Sequence, residues 1–263
     1  MAQPRPYRSG GRWTVSGALV AGAVALATNI EITLHEVGHL VANRVLGAEA
    51  GINLHPFAPS GTTIAGPLPA GYGWAVAAGP VVPIVVGSIA PLVARRSRRP
   101  GFLAITLFGP MALLLEGANA LVQLVERTDG TDITVLSEIA LPEGVIGTIA
   151  AVVLAAGFVS LSATMPLAGL AAADPAMLRW ATPLAGFSVD PLVGAAWVAL
   201  AGGDVARNLG LTAFGVVTGL VVAALHPAIA HRAGLEPVPV RPATAWGVVA
   251  GAVTLAGMMT LVG

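Results

Sequence analysis

The chain has 263 residues, of which 56% are apolar and only 10% are charged, whereas a soluble domain carries roughly 25% charged residues. All 13 basic residues are arginine and 13 acidic residues balance them, so no basic field exists that would attract nucleic acid. The chain has no cysteine, which excludes disulfides, thiolate metal ligands and cysteine nucleophiles. These properties predict an integral membrane protein that lies in the lipid bilayer.

Apolar segments of spanning length, near 20 residues each, recur along the chain and predict an all-α polytopic membrane protein with about seven transmembrane helices. We expect a single integral membrane domain over 1–263, with a tail over 1–12, a core over 13–135 and additional transmembrane helices over 143–263. Residues 47–71, between the first two segments, are rich in proline and glycine and are expected to be re-entrant or to lie along the interface. The predicted segments are 14–45, 73–94, 102–125, 143–165, 182–202, 209–230 and 243–262.

The distribution of arginine predicts the orientation, because cytoplasmic loops carry the excess of positive charge. With the N-terminus in the cytoplasm, only Arg44, Arg127 and Arg207 of the 13 arginines lie outside, which leaves ten inside. We therefore predict a multi-pass protein of the cell membrane with a cytoplasmic N-terminus.

Near the end of the first apolar segment lies the sequence His35-Glu36-Val37-Gly38-His39. Residues four apart lie on one face of a helix, so both imidazoles can reach a single metal ion, and zinc is the ion that such a pair usually binds. Glu36 is placed to act as the general base on a zinc-bound water. Glu31 lies one turn before His35, where its carboxylate could orient that ring, although a water-facing glutamate is an equally good interpretation.

A third ligand is needed, since catalytic zinc normally takes three protein ligands. His226 and His231 lie on the opposite side in the predicted topology. Asp129 and Asp132 follow the third apolar segment, on the same side as the end of the first. An ordinary solvated loop is the alternative interpretation of this pair.

These motifs resemble those of the site-2 protease family of intramembrane zinc metalloproteases, over roughly residues 30–135. The resemblance implies that the aspartate of the Asp129-Gly130 pair is the third zinc ligand. The spacing from Asn119 is about two residues longer than in the family and the characteristic proline is missing, so Asp132 is the second choice and Glu116 the third. The matching stretches are His-Glu-x-x-His at 35–39, Gly51 to Phe57, Ala77-Ala78-Gly79-Pro80, and Asn119 to Asp129-Gly130.

The resemblance implies a Zn²⁺-dependent, membrane-embedded endopeptidase with a metalloprotease-like core at 13–135. Its substrates would be other transmembrane proteins, cut in or near their membrane segments, with Glu36 as the catalytic residue. An alternative is a non-proteolytic protein that retains the motif: a transporter, a metal-binding scaffold or a pseudo-protease.

Overall fold

The structure, a computed structural model, describes residues 9–56, 60–94, 103–127, 131–139, 141–171, 174–200, 205–234 and 236–262. These residues form eight α-helices and one two-stranded sheet, and a 3₁₀ turn at Met165–Ala168 follows the fifth helix. The strands, β1 (Glu49–Asn53) and β2 (Gly61–Ala65), lie between the first two helices. The helices are α1 (Ser9–Val45), α2 (Tyr72–Ala94), α3 (Leu103–Glu126), α4 (Asp132–Ile139), α5 (Glu143–Thr164), α6 (Ala176–Leu200), α7 (Val205–Arg232) and α8 (Pro242–Val262).

Within the described residues, six helices are long and apolar enough to cross a membrane, namely α1, α2, α3, α5, α7 and α8. They correspond to six of the seven predicted segments and confirm an all-α polytopic membrane protein. The remaining predicted segment, 182–202, coincides with α6, which is not among the six and contains Pro183 and Pro191. Several arginines that carried the predicted orientation, including Arg95 to Arg99, lie outside the described residues.

Helix α1 lies at the centre of the fold and packs against α2, α3, α6 and α8. Its 37 residues would rise about 55 Å at 1.5 Å per residue, well beyond the hydrocarbon thickness of about 30 Å. Leu19, Ala23 and Ala27, spaced four residues apart, are all fully buried in the main core cluster. This central position buries the metal motif of α1 on several sides.

Glycines allow the helices around α1 to approach closely. A Cβ atom at Gly38 of α1 would lie 2.5 Å from the carbonyl oxygen of Ala78 in α2, and a Cβ atom at Gly79 would collide with the imidazole ring of His39. Helices α3 and α5 meet in the same way at Gly117 and Gly157. Small residues at such crossings bring backbones together where lipid provides no hydrophobic drive.

The segment between α1 and α2 contains a β-hairpin that the sequence analysis did not predict. Strands β1 and β2 pair antiparallel, with Ile52 opposite Thr62 and Gly51 opposite Thr63, and the hairpin packs against α1. The guanidinium of Arg44 donates hydrogen bonds to the carbonyl oxygen of Ala50 at 2.8 and 3.2 Å. The high content of glycine and proline in this segment masked the short alternating pattern of its strands.

The α3–α5 contact predicts that Gly157→Ala destabilises the protein. The added Cβ would lie 2.7 Å from the backbone nitrogen of Leu114, so we expect a loss of about 1–3 kcal/mol from overpacking. Gly147→Ala in the same helix is the matched control, because its Cβ would meet Leu124 at an ordinary 3.5 Å. Thermal unfolding in detergent micelles measures both, and equal melting temperatures for the two variants would contradict the packing argument.

Candidate metal centre

Helix α1 presents three side chains of the metal motif inside the helix assembly. Glu36 and His39 are buried at 7% exposure each, and His35 is partly buried. The two imidazole rings lie edge to face with their centroids 4.8 Å apart, as expected for residues one helical turn apart. The motif ends six residues before the C-terminus of α1 at Val45.

Asp132 at the start of α4 meets both histidines. Its Oδ2 atom lies 3.0 Å from Nε2 of His35 and 3.2 Å from Nε2 of His39, and the two Nε2 atoms are 3.1 Å apart. The three atoms therefore form a nearly equilateral triangle. In a tetrahedral zinc site with metal–ligand distances of about 2.0–2.1 Å, neighbouring ligand atoms are about 3.3 Å apart, so the triangle has the size of one face of such a site.

The hydrogen bonds of the other ring nitrogens show which atoms carry lone pairs. Nδ1 of His39 lies 2.9 Å from the carbonyl oxygen of Ala75, and Nδ1 of His35 lies 2.7 Å from Oε1 of Glu116. A carbonyl oxygen and a carboxylate accept hydrogen bonds, so both Nδ1 atoms are donors. In the neutral rings the Nε2 lone pairs then point at Asp132, so the three electron-pair donors need a cation among them, either a metal ion or a proton that an Nε2 atom donates to Asp132. The residues fit a zinc ion.

The charge of Asp132 agrees with this interpretation. Burial alone would raise the pKa of its carboxyl group, but hydrogen bonds and electrostatic attraction from His35 and His39 hold that pKa well below its usual range. A positive charge beside Asp132 therefore stabilises the ionised carboxylate.

Helix α3 sets the position of Asp132 through a glutamine. Oε1 of Gln123 accepts a hydrogen bond of 3.0 Å from the backbone N–H of Ile133, in the first turn of α4. This bond satisfies one of the amides that a helix N-terminus leaves unpaired. Nε2 of the same glutamine donates to Oδ1 of Asn119 at 3.1 Å, so the side chain is held from both ends.

Among the sequence candidates, the structure brings together His35, His39 and Asp132, and Glu36, which follows His35 on α1, is buried and accepts a hydrogen bond from Thr62. Asp129, the first choice for the third ligand, lies outside the described residues. Glu116, the third choice, contacts Nδ1 of His35 and so lies on the far side of that ring from the triangle.

Two buried glutamates, Glu31 and Glu116, lie next to His35. Glu31 and Glu116 are 5% and 6% exposed, and with His35 they form a second group whose ligand atoms lie within 4.8 Å of one another. Glu31, one turn before His35, was a candidate acceptor for that ring, but the acceptor at Nδ1 of His35 is Glu116. The local sequence pattern could not show this contact, because His35 and Glu116 are 81 positions apart.

Two further contacts of the motif were also missed. Thr62 of β2 donates a hydrogen bond of 3.0 Å to Oε2 of Glu36, and Gly79 leaves the space that the ring of His39 occupies. The Ala77-to-Pro80 stretch drew attention to Gly79, whereas nothing in the sequence singled out Thr62.

His226 takes no part in the triangle. It is fully buried in α7, where its Nδ1 lies 3.2 Å from the carbonyl oxygen of Ser162. This histidine is therefore a buried side chain of the second half of the chain, in contact with the backbone of α5.

We expect Glu116→Gln to weaken zinc binding about tenfold, because loss of a partner that orients a ligand typically costs 10–100-fold in metal affinity. The amide keeps the size of the side chain but removes the charge that fixes the donor role of His35 Nδ1. Glu31→Gln is the matched control, because Glu31 lies in the same buried cluster whereas the hydrogen bond with Nδ1 of His35 involves Glu116. Competition with a chromogenic chelator measures both affinities; equal affinities for the two variants would contradict the assigned role of Glu116.

The comparisons with known proteins agree with the motifs of the first three long helices. No curated protein and no solved structure matches the chain. Residues 14–125 match a family model described as Peptidase M50B-like, and the match includes the motif of α1 and most of α3 but ends before Asp132. Over this segment, which is less than half of the chain, the protein is therefore similar to the site-2 protease family, a family of membrane metallopeptidases.

Proposed function

We propose that this protein is an intramembrane zinc metalloprotease that hydrolyses peptide bonds in or near the transmembrane segments of other proteins. The observation that carries the proposal is the convergence of His35 Nε2, His39 Nε2 and Asp132 Oδ2 within 3.2 Å of one another, with the buried Glu36 next to His35 in the sequence of α1. His35, His39 and Asp132 would hold the zinc ion, in preference to Asp129.

The division of labour follows from the chemistry of these groups. When bound, zinc supplies Lewis acidity toward a carbonyl oxygen and toward water. Glu36 takes the proton of the attacking water and delivers it to the leaving amine. Ala75 and Glu116 hold the histidines with their Nε2 atoms toward the metal position.

The site is most accessible at Asp132, whose side chain is 26% exposed, against 13% for His35 and 9% for His39. A substrate would therefore approach from the side of α4. An intact helix shields its peptide bonds, so the substrate has to unwind locally before attack. On the arginine distribution, we further propose that the N-terminus is cytoplasmic.

Glu36→Gln is expected to retain zinc and to lower cleavage at least about 100-fold, the lower range for loss of a general base. The assay uses the full chain in proteoliposomes with a single-span reporter protein, and bound zinc is measured by mass spectrometry. Glu49→Gln on the exposed first strand is the matched control and should cleave normally. Zinc binding without cleavage by the natural chain would favour the pseudo-protease, and cleavage that survives Glu36→Gln would remove Glu36 as the base.

The third ligand can be identified by zinc content alone. Asp132→Ala removes one corner of the triangle and should reduce the bound zinc to a small fraction, because only two protein ligands remain. Asp129→Ala should keep close to one zinc ion per chain. The reverse result, with zinc lost only in Asp129→Ala, would show that Asp129 is the ligand.

A further inference from the structure

The hairpin presents two neighbouring threonines to different surroundings. Thr62 and Thr63 are consecutive residues of β2, and successive side chains of a strand point to opposite faces. Thr62 is partly buried against α1 and bonds Glu36, whereas Thr63 is exposed and lines a cavity of about 440 Å³ beside Arg44 and Glu49. The strand therefore directs the hydroxyl group of Thr62 at Glu36, the proposed general base.

Glu36 needs such a partner for two reasons. Glu36 is only 7% exposed, and a buried charge without a hydrogen bond is costly. The last torsion of a glutamate is also broad and roughly two-fold, so packing alone does not fix which oxygen faces the reaction. A hydrogen-bond donor to one carboxylate oxygen both stabilises the buried charge and fixes the orientation of the carboxylate.

The contact with Thr62 is anchored at both ends. The hydroxyl lies 3.0 Å from Oε2 of Glu36 and 3.3 Å from the backbone carbonyl oxygen of the same residue. On the strand side, pairing with Ile52 fixes the register of Thr62, and Arg44 of α1 holds β1 at Ala50. A shift of the β1–β2 register by one residue would turn Thr62 to the opposite face of the hairpin.

We propose that Thr62 is a positioning residue for the general base: its hydroxyl group holds Oε2 of Glu36 and so turns Oε1 toward the attacking water. This inference rests on the proposed function, because it takes Glu36 to be the base. The hairpin thereby contributes to the reaction through Glu36, without binding the metal itself.

Three variants test the proposal in the full chain, with the same reporter protein in proteoliposomes. Thr62→Val keeps the shape but removes the hydroxyl, and we expect kcat to fall roughly tenfold with KM within about twofold and zinc content unchanged, as for other groups that orient a reacting side chain. Thr62→Ser should restore kcat to within about threefold of the natural chain. Thr63→Val, on the other face, is the matched control and should behave as the natural chain.

A spectroscopic measurement follows Glu36 without any substrate. The infrared difference between the natural chain and Glu36→Gln isolates the carboxylate stretch of Glu36, and Thr62→Val should shift this band while Thr63→Val leaves it in place. An unshifted band, equal kcat in Thr62→Val and Thr63→Val, or loss of zinc in Thr62→Val would each overturn the positioning role. Cleavage that survives Glu36→Gln overturns the proposed function, whereas an inactive Glu36→Gln beside a fully active Thr62→Val overturns this inference alone.

Discussion

The contact of Asp132 with His35 and His39 is the constraint on which the arrangement of this protein depends. Three electron-pair donors lie within 3.2 Å of one another, and in a low-dielectric interior such an arrangement is stable only with a cation among its members. Two of the donors are on α1 and the third begins α4, which lies 93 positions further along the chain than His39. The elements between α1 and α4 therefore have to bring the start of α4 against His35 and His39.

The acidic side chains of the membrane helices follow the same logic. A charged group at membrane depth costs at least about 2.5–3.5 kcal/mol unless it is paired, yet Glu31, Glu36 and Glu116 are all nearly buried. Each lies within reach of a polar group of the site: Glu116 bonds His35, Glu31 lies beside Glu116, and Glu36 accepts from Thr62. These buried carboxylates are thus concentrated around the candidate metal site, and the rest of the described apolar helices carry few charges.

The sequence predicted those features that local periodicity encodes. The spacing of His35 and His39 places both rings on one helix face whatever the tertiary structure, and apolar runs define the long helices. The choice between Asp129 and Asp132 depends on where α4 begins, which Gln123 of another helix helps to set. The roles of Glu116 and Thr62 were out of reach for the same reason, because contacts over 81 and 26 positions leave no periodic trace. The hairpin was hidden by a composition that also suits an irregular loop.

Helix α3 connects the two sides of the site and explains a role for the second half of the chain. It supplies Glu116, which holds His35, and Gln123, which caps the helix that carries Asp132. A displacement of α3 would therefore move both the orienting acceptor and the third donor of the triangle. Gly117 follows Glu116 directly and lies against the backbone of α5. A Cβ atom at Gly117 would lie only 2.7 Å from the backbone nitrogen of Leu154, so this close contact needs a glycine. Because interiors packed this closely transmit displacement rather than absorb it, α5 supports the candidate metal site through α3, although none of its described residues belongs to the triangle of His35, His39 and Asp132.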